Sequence, residues 1–193
     1  MKDNIYLGLV HAPICNKKGE VVTTSVTNLD IHDIARSCRT FGVSKYFIVT
    51  PLQAQHELVN RILGHWEEDK AAAYNPDRQD ALAIARLVNS VEEGVKKITE
   101  IEGIEPIIAV TGANFKENSG VESDLLNKAR LDKRPVFLLF GTGWGLHAHV
   151  LDQAHFSLEP IFGASEDGYN HLSVRSAVAI YLDRLARASE TKK

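Results

Sequence analysis

Three glycines fall within five residues at Gly141-Thr142-Gly143-Trp144-Gly145, directly after the apolar run Val136–Phe140. Glycine backbone passes close to a ligand and turns its N–H groups toward it, so this loop suits a phosphate or a bulky cofactor. The spacing is not the dinucleotide fingerprint, and no Gly-Lys-Ser/Thr end makes it a P-loop. The alternative is a tight structural turn. Trp144 reads either as a lid or as cover for the core edge. A second group, Glu166-Asp167-Gly168-Tyr169-Asn170-His171, crowds two carboxylates, a phenol, an amide and an imidazole ahead of a helical pattern. Asp167 or Glu166 suits a general base, and His171 a base or a donor to an anion. The alternative is a polar turn with Asn170 as helix cap. His147, His149 and His155 have no cysteine or close carboxylate to complete a metal shell, so no metal site is expected. Arg36, Arg39, Lys17-Lys18, Lys133-Arg134, Arg184 and Arg187 are the material for phosphate contacts.

Strand–helix alternation must position these groups. Ile5–Val10, Lys45–Thr50, Pro106–Val110, Val136–Phe140 and His155–Leu158 read as strands. The unbroken apolar run at 136–140 predicts a central parallel strand buried on both faces. Thr27-Asn-Leu-Asp30 is a capping box, followed by the one-faced stripe Ile31, Ile34, Ala35, Cys38, Phe41 and a C-terminal Gly42. Leu58–Trp66 marks a second helix and His65–Pro76 a polar loop. Ile84, Leu87, Val88 and Val91 have helical spacing and predict a third helix, restarting at the capping box Ser90–Glu93. Helices are also expected at Val121–Arg130 and over Val178–Ala186, with a frayed tail at Ser189–Lys193. The alternation predicts one α/β domain over residues 1–193, a parallel sheet flanked by helices. Ligands of such sheets bind beyond the carboxyl ends of the strands. Here those ends carry Thr111-Gly112-Ala113, Gly141–Gly145, and Glu159-Pro160-Ile161 through Ser173.

The chain has 193 residues, 44% hydrophobic and 24% charged, which fits one globular core and argues against intrinsic disorder. No apolar run approaches the ~20 residues of a membrane span, no leader pattern opens the chain, and a cytoplasmic setting is expected. A net charge of −3 excludes a diffusely basic nucleic-acid binder and leaves only a local basic patch. Cys15 and Cys38 form no Cys-x-x-Cys pair, so neither a disulfide framework nor a zinc ribbon is expected.

Asn28-Leu-Asp-Ile-His-Asp-Ile-Ala-Arg36 through Gly42 resembles the first motif of the SPOUT superfamily of RNA methyltransferases, in its SpoU/TrmH-like branch. Phe137–Leu146 is similar to that branch's strand and cofactor loop. Pro160-Ile161 and His171–Leu182 are similar to its third motif and closing helix. The resemblance is to a small stand-alone family without an RNA-binding extension. It implies a C-terminal trefoil knot, a homodimer and S-adenosylmethionine as cofactor. It further implies that Thr111, Gly112, Gly141, Thr142, Gly143, Gly145, Leu146, Glu159, Ile161, Leu172 and Ser173 line the cofactor, and that Arg36 reaches the site across the dimer. The SpoU-like ribose methylases carry a glutamate in the glycine loop; this chain has none and is one residue shorter there. Where their first motif has an asparagine and their third a serine and an asparagine, this chain has Asp30, His171 and Ser173.

The expectation is methyl transfer from S-adenosylmethionine to tRNA or rRNA, at a base nitrogen or the ribose 2′-hydroxyl, with Arg36, Asp167 and His171 catalytic. An accessory protein that delivers the RNA fits the absence of surplus basic surface. Two other readings stand beside it: a non-catalytic module of the same fold that binds RNA or protein, and a nucleotide-binding α/β enzyme.

Overall fold

A computed structural model describes residues 4–67 and 75–190. Six parallel strands form one sheet in the order β5-β4-β1-β7-β6-β8: β1 (Ile5–Val10), β4 (Lys45–Val49), β5 (Ala85–Val88), β6 (Ile107–Val110), β7 (Val136–Gly141) and β8 (Phe156–Ser157). A separate antiparallel pair, β2 (Ile14–Cys15) and β3 (Val21–Val22), makes a small hairpin after β1. The central position of β7 follows from its composition, since each of its first five side chains is buried.

Helices cover both faces. One face carries α1 (Asn28–Thr40), α2 (Gln53–Glu67), α3 (Pro76–Leu82), α5 (Glu122–Asp132) and α7 (Val174–Glu190). Leu7, Leu9 and Leu138 pack there against Ile31, Ile34, Leu125 and Leu182. The other face carries α4 (Val91–Glu102) and the short α6 (Ala148–Leu151), and beneath them Tyr6 stacks on Phe47, which meets Phe137 edge to face.

The local signals at α1 act as expected. The Thr27 hydroxyl accepts from the Asp30 N–H, and Gly42 takes the left-handed conformation that ends the helix. The capping box is formed only in its Thr27 half, because the Asp30 side chain takes the Thr27 hydroxyl and not the Thr27 N–H. The buried Asp30 carboxylate accepts from Thr27 Oγ1 at 2.5 Å and from Arg175 Nη1 of α7 at 2.9 Å, locking the two helix N-termini together. Asp30→Ala is expected to lower stability by about 2–3 kcal/mol, read as a shift in urea midpoint. It removes the acceptor of the Thr27 hydroxyl and leaves Arg175 with Asp33, at 3.5 Å.

Several sequence expectations need correction. Ala85–Val88 is an edge strand and not part of a helix; helix α4 begins at Val91. The helical spacing of Ile84, Leu87, Val88 and Val91 comes from a strand and a helix placed in series. The loop expected at 65–76 begins later, because α2 runs through Glu67, and it ends earlier, because Pro76 opens α3. Asn75 caps that helix by accepting from the Arg78 N–H at 3.0 Å. Residues 68–74 lie outside the described residues, as do 191–193 of the expected tail. Ser189 belongs to α7. The two-residue strands of the hairpin and the four-residue α6 are too short to leave a period in the sequence.

Candidate active site

Strands β7, β6 and β8 are consecutive neighbours, so the three loops singled out in the sequence leave the same carboxyl edge side by side. The glycine loop is the tightest of them. Gly145 N–H donates to the Thr142 carbonyl at 3.1 Å, closing a turn whose Gly143 has φ 59°. Gly145 itself has φ 107°. Gly141 is required for a different reason. A Cβ there would lie 2.7 Å from Leu146 N and 2.9 Å from the Gly145 carbonyl carbon, so the loop folds directly onto it.

The hairpin holds this loop from outside. Cys15 N–H donates to the Gly145 carbonyl at 3.1 Å, Trp144 N–H to Cys15 at 3.3 Å, and His147 N–H to Pro13 at 3.4 Å. Leu146 bridges to Ile14 and buries its side chain on the α4 face, so only its backbone is left for the loop.

A half-buried polar chain that ends on the buried His11 holds it from inside. Thr142 Oγ1 donates to the Val10 carbonyl at 3.1 Å, which uses its single hydrogen. It must then accept from Thr24 Oγ1, at 2.5 Å, and Thr24 must in turn accept from His11 Nδ1, at 3.1 Å. The chain therefore puts the proton of His11 on Nδ1 and leaves Nε2 as a lone pair. That nitrogen is buried and without a hydrogen-bond partner among the described residues. Burial, opposed weakly by Asp30, pulls the His11 imidazole down to about 4, so it is neutral near pH 7. The Thr142 hydroxyl thus anchors the loop to β1. Neither His11 nor Thr24 stood out in the sequence, because a lone histidine after a strand and a threonine after a hairpin carry no motif.

The flanking segments are fixed in the same way. The Thr111 hydroxyl is buried and donates to the Leu139 carbonyl at 3.1 Å. A Cβ on Gly112 would meet the Phe115 ring at 2.6 Å. Glu159 N–H donates to Gly120 at 2.9 Å, and its carbonyl accepts from Tyr181 Oη at 2.9 Å. The Ile161 carbonyl accepts from Asn170 Nδ2 at 2.8 Å. Asn170 therefore ties the loop and does not cap α7; Ser173 Oγ, accepting from Ser176 N–H at 3.2 Å, sits at the start of that helix, beside the exposed Leu172.

The expected catalytic residues are more dispersed. Asp167 lies exposed in the loop before α7, accepting from Ser165 Oγ and, at 3.0 Å, from Tyr169 N–H. These bonds hold its carboxyl below the usual range. His171 is exposed, its ring 5.6 Å from that of Tyr169. Arg36 is exposed on α1, whereas Arg39 pairs with Asp80 at 2.7 Å. The three histidines diverge: His147 Nδ1 accepts from His149 N–H, His149 faces Glu92 at 3.4 Å, and His155 Nδ1 accepts from Ile108 N–H. Lys133 and Arg134 precede β7, at the opposite edge of the sheet, and Arg134 donates to the carbonyls of Glu105 and Pro106 at 2.8 Å. They share no patch with Lys17 and Lys18 of the same chain.

The profile of a family described as S-adenosylmethionine-dependent RNA methyltransferases matches residues 4–187. A tRNA (guanine-N(1)-)-methyltransferase of Oleidesulfovibrio alaskensis is 44% identical over 94% of this chain, which spans only 42% of that protein's length. A protein of Aquifex aeolicus, named only as uncharacterised, is 36% identical over 96% of this chain and 89% of its own. The SpoU methyltransferase AviRb of Streptomyces viridochromogenes, solved in complex with AdoMet, superposes with a TM-score of 0.60. The alignment covers 99% of this chain and 60% of AviRb, at 14% identity, which speaks for the fold alone.

Proposed function

This chain belongs to the family of S-adenosylmethionine-dependent RNA methyltransferases, and from that premise we propose that it transfers a methyl group to a base nitrogen of tRNA. The observation that carries the proposal is the glycine cradle. Three adjacent strand ends converge on a loop so closely folded that Gly141 has no room for a Cβ. Such a loop offers backbone, not side chains, to a bulky ligand. Gly112, Gly141, Gly143, Gly145 and the backbone of Leu146, Glu159 and Ile161 would hold the cofactor, with Thr111, Thr142, Leu172 and Ser173 around them. Thr111 and Thr142 turn their hydroxyls into the protein, so they shape the cradle and leave recognition to the main chain.

Bound S-adenosylmethionine supplies an electrophilic methyl carbon on a sulfonium. The protein must align the attacking nitrogen with it and remove that nitrogen's proton. Asp167, kept ionised by Ser165 and Tyr169, and the neighbouring imidazole of His171 are the acceptors within one loop. Arg36, exposed and with no ion-pair partner among the described residues, holds a substrate phosphate or steadies charge as the nitrogen attacks. The missing loop glutamate and the guanine-N1 name of the Oleidesulfovibrio alaskensis relative support a base nitrogen over the ribose.

The homodimer is part of this proposal. Leu29 and Leu172 stand exposed near the N-termini of α1 and α7, which the Asp30–Arg175 ion pair joins, and are apolar surface that a second copy could cover. The return of the chain from β8 to α7, which docks on α1 and α5, supports the knotted closure and a single domain. No described helix is long and apolar enough to cross a membrane. A cytoplasmic setting and delivery of RNA by an accessory protein complete the reading.

Calorimetry with S-adenosylmethionine tests the proposal directly; absence of heat at high protein concentration sinks it. Arg36→Ala is expected to slow single-turnover methylation of tRNA roughly 100-fold. S-adenosylmethionine affinity should stay within about threefold of wild type. A rate that does not change removes Arg36 from the site.

A further inference from the structure

Trp144 is 57% exposed, an unusual state for the largest side chain in the protein. It is also held in place. The turn closed by Gly145 N–H and the bond from Trp144 N–H to Cys15 hold its backbone, and the glycines on either side supply the positive φ that this turn requires. The indole is therefore displayed from a rigid support, and little conformational freedom remains to be lost when something stacks on it.

Its surroundings carry positive charge. Lys17 Nζ sits 6.0 Å from the centroid of the Trp144 ring. Lys17 and the equally exposed Lys18 occupy the turn of the hairpin. That turn is built: Asn16 Oδ1 accepts from Lys18 N–H at 2.8 Å and from Glu20 N–H at 3.0 Å. The nearest carboxylate along the chain, Glu20, is engaged by Asn16 Nδ2 at 2.7 Å. An exposed aromatic ring with one ammonium group over it and a second exposed lysine next in the chain is a combination that binds a nucleobase and its phosphate, whatever the base.

We infer that Trp144, Lys17 and Lys18 form a stacking platform for an unpaired nucleotide of the RNA substrate, next to the cofactor loop. The inference rests on the proposed RNA methylation and adds the substrate's point of contact. The platform shares its backbone with the glycine loop. A base stacked on Trp144 is thereby registered against the cradle, and the hairpin bonds from Cys15 and Pro13 carry that registration.

The protein has two tryptophans, and Trp66→Phe leaves Trp144 as the only indole emitter. Bulk tRNA, added without cofactor, is expected to quench that emission in a saturable, salt-weakened manner. Trp144→Ala should weaken tRNA binding about tenfold, and Trp144→Phe should retain it within about threefold. Lys17→Ala should reduce the salt dependence as well as the affinity. S-adenosylmethionine affinity should be the same in Trp144→Ala and the parent protein. The inference is overturned if the parent protein binds no tRNA, if tRNA binds without quenching, or if Trp144→Ala binds tRNA as well as the parent. It is equally overturned if the variant loses cofactor and not RNA. Absence of heat between the parent protein and S-adenosylmethionine would sink the methylation reading alone, because the quenching experiment contains no cofactor.

Discussion

Gly141→Ala is expected to lower S-adenosylmethionine affinity at least about 100-fold while leaving the far-ultraviolet circular dichroism unchanged. The added methyl would meet Leu146 N at 2.7 Å and the Gly145 carbonyl carbon at 2.9 Å. Both are backbone atoms and cannot rotate aside, so the loop itself has to move. Its outer bonds to Cys15 and Pro13 and its inner bond from Thr142 to Val10 oppose that movement. The outcome is a dislocated cradle on an intact sheet, since Gly141 is the last residue of β7 and the strand before it is unaffected. Gly64→Ala is the control. Nothing lies within 4 Å of its Cβ, and it sits inside helix α2, where alanine is favoured by roughly 0.5–1 kcal/mol. Cofactor titrations of the two variants decide the matter: comparable affinities would show that the close packing at Gly141 does not define the site.

The second large effect is on stability in mild acid. The His11 imidazole falls to about 4 in the folded protein because burial disfavours its charged form, against about 6.5 in the unfolded chain. Between these two values the unfolded chain binds more protons, so stability rises with pH over that window and is fully present above it. The difference corresponds to about 3 kcal/mol lost on acidification from about pH 6.5 to about pH 4. His32 and His155, also lowered chiefly by burial, act in the same direction. His11→Gln is expected to flatten the dependence of urea midpoint on pH to what those two histidines and the depressed carboxylates leave, among them Glu92, held down to about 2 first by its hydrogen bond to Ser90. Thr24→Val should instead lower the whole curve without changing its slope, because it breaks the hydrogen-bond chain and removes no titrating group. An unaltered slope in His11→Gln would mean that another group controls acid unfolding.

The strands and α1 were legible because their signals are local: unbroken apolar runs, a capping box, a terminal glycine. The glycine loop was legible for the same reason, and adjacency of β7, β6 and β8 brought its neighbours to it as the strand-end rule requires. What escaped was non-local or too short to have a period. The edge strand at Ala85 merged with the next helix into one false helical stripe. The hairpin carries two residues per strand. His11, Thr24 and Thr142 form a unit only when β1 lies beside β7, and no spacing in a linear chain announces that. The basic residues are a further case of non-local placement. Lys17-Lys18 and Lys133-Arg134 look alike as basic dipeptides, yet the sheet sends them to opposite edges.

The bond from Thr142 to Val10 joins positions 132 residues apart in sequence. Strand β1 is synthesised well before its partner β7, with most of the described elements between them. The β1 edge that β7 will occupy must stay open through much of synthesis, exposing main chain that can pair wrongly. Closing so large a loop is an entropic cost met before any contact rewards it, which makes for slow folding. The cofactor loop is then among the last parts to acquire its shape, and a chain truncated before it would keep much of its secondary structure while binding nothing. For a protein of this fold, competence to bind ligand reports that two strands distant in the chain have already been paired.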